Sequence, residues 1–190
     1  MNFEKLHLTG PGGSPYKLGE PMHVHDGTRF LGTVEPVEVG PDRTEVRISR
    51  FCASPSVGSG QRNFGPLLLV EVTLFLVERF RNIQSVHFDL RREIEVYGDG
   101  MMVAAARAEL LRNIGATDVH ARPQPDPSNP GNFVVRGLWV YTEDALLALR
   151  LAVALQRDLY GENLDRVPTK KRGLPGLRRF KRWWPRDDGA

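Results

Sequence analysis

The chain has 190 residues, with 26 Lys/Arg against 23 Asp/Glu and a single cysteine. Its length allows one domain with a sizeable core, one cysteine excludes an internal disulfide, and no apolar run reaches the roughly 20 residues that span a bilayer. The charge is lopsided: residues 169–190 hold eight Lys/Arg and two Asp, a net of +6, so the body before them carries −3 and has no overall attraction for polyanions.

In chain order, Phe3 to Leu8 alternates weakly and reads as a short strand. The rest of the first 29 residues is poor in periodic signal, and Gly10 to Pro15 is a loop. Arg29 to Val39 reads as a strand in which Pro36 marks an edge or a bulge. A turn at Gly40-Pro41-Asp42-Arg43 leads to a second strand, Thr44 to Ala53, antiparallel to the first. Leu67 to Phe80 is an apolar helix with few polar positions, so it should be largely buried against a sheet. Its longest apolar run, Pro66 to Val77, is broken by Glu71.

Gln84 to Leu90 follows as a strand with Val86, Phe88 and Leu90 on one side. Residues 91–100 form a charged connection, and Met101 to Ile114 a helix ended by Gly115. Asp118 to Arg122 is a short strand, Pro123 to Gly131 a rigid loop with four prolines, and Phe133 to Tyr141 a strand. Thr142-Glu143-Asp144 caps a last helix, Ala145 to Tyr160. This order predicts an α/β (α+β) domain with a mixed central sheet flanked by helices. The domain covers 1–164, and a basic aromatic tail covers 165–190.

Between the second strand and the first long helix lies Val57-Gly58-Ser59-Gly60-Gln61-Arg62-Asn63-Phe64-Gly65-Pro66-Leu67. Free backbone N–H groups at a helix start, the helix dipole and permissive glycines together suit a pyrophosphate. The same residues serve equally as a Gly-rich turn that starts a helix. Arg62-Asn63-Phe64-Gly65-Pro66-Leu67 resembles the coenzyme A loop of the GNAT acyltransferase superfamily, Gln/Arg-x-x-Gly-x-Gly/Ala, at its first and fourth positions. Ala108 to Ala116 is similar to that family's Leu-Tyr-x-x-Leu-Gly-Phe helix end, and the order of loop, helix, strand and helix end over roughly 29–141 is similar too.

The resemblance implies a GNAT-like fold, acetyl-CoA or another acyl-CoA as cofactor, and direct attack of an acceptor amine on the thioester. It implies that Arg62, Asn63, Phe64, Gly65, Pro66 and Leu67 hold the pyrophosphate, and that the backbone of Phe51, Cys52 and Ala53 pairs with the pantetheine arm. An amine nucleophile must lose a proton, so a base is expected near the thioester. Glu45, on the strand leading to the loop, is the first candidate, and His87, on the next strand, the second. The acceptor is a protein or another large amine, because the two helices the family places between its first and second strands have no counterpart here. Leu67 stands where the pattern has Gly or Ala, which sets a bulky side chain beside the pyrophosphate position. Leu111 stands where the pattern has its tyrosine. Both departures point to the alternative, a non-catalytic GNAT-like interaction module or a secreted effector.

Other constellations carry less. His23 and His25 share a face if they lie on a strand, but no third ligand is evident, so no metal is expected. Cys52 reads as a buried thiol. The tail, from Lys170 to Arg186, interleaves basic residues with Phe180, Trp183 and Trp184. That pattern suits an anionic membrane or single-stranded nucleic acid, and equally a solubilising end or a segment that docks on the acidic body. No basic region followed by an apolar block opens the chain, so a cytoplasmic location is expected, with peripheral membrane association or export without a cleaved signal as variants.

Overall fold

The computed structural model describes residues 4–54, 64–124 and 126–165, with side chains to residue 162. The strands are β1 (His7–Thr9), β2 (Met22–Asp26), β3 (Arg29–Val34), β4 (Glu38–Val39), β5 (Glu45–Ile48), β6 (Phe51–Ala53), β7 (Ser85–Arg92), β8 (Thr117–Pro123) and β9 (Phe133–Val140). The helices are α1 (Phe64–Arg79), α2 (Tyr97–Asn113) and α3 (Glu143–Asp165). Strands pair in the orders β1-β2-β3-β6 and β4-β5-β7-β9-β8. The mixed sheet with flanking helices expected from the sequence is therefore present, and only a single turn at Pro11–Gly13 stands between β1 and β2 among the described residues.

The two sheets are one sheet that splits. Each long strand read from the sequence is divided at the same level. Pro36, which has no N–H to give a ladder, falls in the break between β3 and β4. Ser49 and Arg50 fall in the break between β5 and β6. On one side of the split, β3 pairs antiparallel with β6, Gly32 opposite Ala53 and Val34 opposite Phe51. On the other, β4 pairs with β5, and β5 runs parallel to β7 from Glu45–Ser85 to Ile48–Phe88. The antiparallel relation read from the sequence holds in both halves.

The sequence reading missed β2. It forms a two-residue hairpin with β3, Asp26 opposite Arg29, and Gly27 takes the left-handed φ of +57° that such a turn needs at its first position. The Asp26-Gly27 pair was the available signal. Residues 91–100 are also more ordered than expected: β7 continues to Arg92 and α2 begins at Tyr97. Gly115, at φ +85°, ends the α2 segment as expected, and Thr142 accepts the Ala145 N–H at 3.0 Å to cap α3.

Handedness decides which face is covered. The crossovers β5–α1–β7 and β7–α2–β8 both connect parallel strands and run the same way across the sheet, so right-handed connections put α1 and α2 on one face. Val46, Ile48, Val86, Phe88, Val135 and Trp139 are buried on that face. Trp139 donates its indole N–H to the Ile114 carbonyl at 2.9 Å, behind α2. α3 joins the same layer by packing on α1. Tyr160 near its end reaches Asp26 of the β2–β3 hairpin at 3.1 Å. The opposite face carries Glu45, Arg47, His87, Asp89 and Arg136, and no described helix covers it.

Candidate active site

Two regions at the split have chemical potential. The first is the open edge of β6. Glu35 donates its N–H to the Arg50 carbonyl at 3.0 Å, and Ser54 donates to Leu31 at 2.8 Å. In an antiparallel ladder such bonds alternate along the strand. Arg50, Cys52 and Ser54 therefore turn their main chain toward β3, while Phe51 and Ala53 turn theirs toward the gap. No strand fills that gap among the described residues. Of the three residues expected to pair with an extended ligand, Phe51 and Ala53 are aimed for it and Cys52 is turned away.

α1 opens beside this edge. Phe64 packs edge-on against Phe51, ring centroids 5.5 Å apart, and is buried. Gly65 is exposed, and a Cβ built on it would meet nothing within 4 Å. The free N–H groups of a first helical turn are an anion site by geometry and dipole. Pro66 has none to give. Leu67 does not obstruct this turn as expected from its bulk, because its side chain is fully buried in the core. Arg62 and Asn63 lie outside the described residues, as does the glycine stretch before them.

The second region is a cleft of about 290 Å³ on the uncovered face. Thr44 and Glu45 from β5 and its approach, Gln84, Ser85 and His87 from β7 and its approach, and Leu138 and Val140 from β9 line it. The two base candidates meet here: His87 Nε2 lies 3.8 Å from Glu45 Oε2, with both side chains partly open to water. His87 stands opposite Arg47 on β5 and Leu138 on β9. It also stands one residue before Phe88, the last position at which β5 and β7 pair. Glu45 is at the far end of that pairing, three residues or about 10 Å from Ile48.

Next along the same face of β7 is Asp89, held by Arg91 at 3.1 Å and Arg136 at 3.4 Å. Burial alone raises the carboxyl, but the Arg91 hydrogen bond and the charges of Arg91, Arg136 and Arg47 outweigh it and hold Asp89 below the usual carboxylate range. Sequence reasoning placed Glu45 and His87 but not the rest of the cleft lining.

The expectation of a buried thiol changes. Cys52 is exposed, because its side chain projects to the face without helices, and its thiol lies 3.7 Å from Glu35 Oε1. His23 and His25 both rest on the Phe30 ring, at 5.5 and 5.3 Å, and no three His, Cys, Asp or Glu side chains converge on a metal-sized position among the described residues. Leu111, in the place of the family's tyrosine, is fully buried against Gly137, so no hydroxyl is offered there. The basic tail from residue 166 lies outside the described residues.

No family model matches the chain, and no curated protein matches it. Among solved structures it is similar to the spermidine N-acetyltransferase SpeG of Vibrio cholerae in complex with CoA and spermine. The identity is 14% over 67% of this chain and 68% of that one, with a TM-score of 0.43. A SpeG chimera from Vibrio cholerae and hSSAT gives 13% over 72% and 96%, TM-score 0.45. An acetyltransferase from Thermus thermophilus gives 9% over 74% and 100%, TM-score 0.38. With identities of 14% or less and TM-scores below 0.5 these likenesses carry no argument about the site, and its reading rests on its own geometry.

Proposed function

We propose that the protein is an acyl-CoA-dependent N-acyltransferase that acts on the amine of a protein or another large acceptor. The observation that carries this reading is the split between β6 and β7, where the main chain of Phe51 and Ala53 lacks a strand partner among the described residues and the first turn of α1 stands alongside. An extended, amide-containing arm with a phosphate at one end has matching partners in that pair of features. Phe51 and Ala53 take the amides, and the Phe64–Gly65 turn, with Arg62 before it, takes the phosphate.

An arm lying along β6 ends where β5 and β7 come together, near Ile48 and Phe88. His87 is one residue from that point and projects to the uncovered face, so it is the base that receives the amine proton. Glu45 orients its ring from across the cleft. This reverses the order of the two candidates drawn from the sequence. The face around them has no described helical cover, which leaves room for a bulky acceptor.

Calorimetric titration with acetyl-CoA, with Arg62→Ala as control, tests the reading. Micromolar binding that the variant loses supports it, and absence of binding at millimolar ligand overturns it. Leu111 favours a second reading, a binding module without turnover, since the helix end offers no hydroxyl to protonate a leaving thiolate. Acetyl-CoA binding with no transfer to any amine would select it.

A further inference from the structure

α3 turns a row of leucines to water. Leu147, Leu151 and Leu155 are 58%, 63% and 57% exposed. They stand four residues apart, so successive members lie about 40° apart around the helix and form one stripe about 12 Å long. The body side of the same helix is filled separately, by the buried Leu146, Leu149 and Val153.

The charges along the stripe have one sign. Asp144 and Asp158 lie seven residues before and after Leu151, about 20° from its line, so an acid closes each end. Glu143, Asp144 and Asp158 have no basic partner among the described residues. Arg150 and Arg157 stand about 100° or more around the helix from Leu151, where Glu78 and Glu71 of α1 hold them.

The leucines call for an apolar cover, and the acids select which one. In a pairing of two copies, an antiparallel contact about Leu151 sets Asp144 of one against Asp158 of the other, and a parallel contact sets each acid against itself. Like charges so placed oppose association. An anionic lipid surface meets the same acids. The occupant that fits is apolar and basic.

The chain carries such a segment. Residues 166–190 follow α3 directly, with Leu174, Leu177, Phe180 and Trp183 at intervals of three and a net charge of +6 from residue 169 onward. The reach is sufficient. Leu155 stands ten residues, or about 15 Å of helix, before Asp165, and the nine residues from 166 to 174 can span about 30 Å. A tether of that length holds the segment beside the stripe at an effective concentration on the order of millimolar.

We propose that the leucine stripe of α3 is the docking surface for residues 169–190 of the same chain. The apolar side chains of that segment cover Leu147, Leu151 and Leu155, and its basic residues meet Asp144 and Asp158. The stripe belongs to the helix layer, on the other side of the sheet from His87 and Glu45, so the proposal is independent of the acyltransferase reading.

Tryptophan fluorescence of the full chain tests it, because Trp139 is fully buried and Trp183 and Trp184 are the other two tryptophans. Acrylamide is expected to quench the wild type at least threefold less than Leu151→Asp, a change at an exposed position that leaves the core intact. Met102→Asp, equally exposed but on α2, should behave as wild type. Asp158→Lys should fall between the two. The double variant Leu177→Ser with Phe180→Ser should release the tryptophans as Leu151→Asp does, and it decides the matter if Leu151→Asp does not fold. Equal quenching of wild type, Leu151→Asp and the double variant overturns the proposal. Protection that appears only with anionic vesicles overturns it too, and gives the segment to a membrane. A dimer in sedimentation that Leu151→Asp abolishes, with protection that fades on dilution, overturns it in favour of a second copy on the stripe.

Discussion

Arg157 on α3 grips Glu71 on α1 with two parallel hydrogen bonds, Nε to Oε1 at 2.7 Å and an Nη to Oε2 at 3.0 Å. Glu71 is 5% exposed and is the one charge inside the apolar run of that helix. The pair, with Arg150–Glu78 at 2.9 Å two turns away, locks the last helix onto the first. The Glu71 hydrogen bond is the largest influence raising Arg157 above its ordinary range.

Removing one partner should cost more than removing both. Arg157→Met leaves a buried carboxylate alone and is expected to destabilise by about 2 kcal/mol, less than a fully buried pair because Arg157 keeps about a third of its side chain in water. The double variant Glu71→Leu with Arg157→Met should recover most of that loss. Denaturant unfolding of the four proteins in the cycle measures it, and a double variant as unstable as the sum of the singles would refute the argument.

Asp89 makes stability depend on acid. Its carboxyl sits below its unfolded value of about 3.9, so the folded state holds fewer protons than the unfolded state between the two values. The stabilisation is complete above that unfolded value and is lost as pH falls through the folded one. Asp89→Asn should therefore be less stable by about 1 kcal/mol at pH 7, with Arg91 and Arg136 each about half exposed, and the deficit should shrink as the pH falls through the folded-state value. Denaturant curves at a series of pH values give the comparison.

How much of this was visible in the sequence follows from where each partner sits in the chain. The apolar runs of α1 and β7 and the Thr142 cap were legible because their causes are local. Glu71 stood out too, as the break in an apolar run, but Arg157 lies 86 residues away and nothing near either residue names the other. The two long strands were legible as strands and not as split strands, because Pro36 marks one break and nothing comparable marks Arg50. The cleft at His87 is assembled from three separate segments, so Thr44, Gln84 and Leu138 carry no local sign of meeting. β2 was hidden by its polar residues: His23 and His25, which rest on Phe30, and Asp26, whose partner Tyr160 lies far along the chain.

Gly65 separates the needs of the fold from those of a ligand. A side chain there meets no atom within 4 Å and the backbone is not left-handed, so packing does not demand glycine. Leucine is the better helix former by roughly 0.8 kcal/mol, so Gly65→Leu should keep or raise the Tm. If a phosphate approaches the first turn of α1, the same substitution should weaken acetyl-CoA binding at least tenfold. Unchanged affinity in a stable variant would move the cofactor away from this helix.

The roles of His87 and Glu45 are separable by kinetics once an acceptor is in hand. His87 stands at the point where β5 and β7 part, and Glu45 reaches it from 3.8 Å. His87→Gln keeps the size and hydrogen-bonding capacity of the side chain and removes the base, so kcat/KM for the acceptor should fall about 100-fold and the acid limb of its pH profile should disappear. Glu45→Gln removes only the orienting charge and should cost about tenfold, with the profile retained. Neither residue touches the first turn of α1, so the KM for acetyl-CoA should hold in both. Equal activity of wild type and His87→Gln would exclude the cleft as the place where the amine loses its proton, while a raised acetyl-CoA KM in either variant would mean that the cofactor arm runs across the uncovered face rather than along β6.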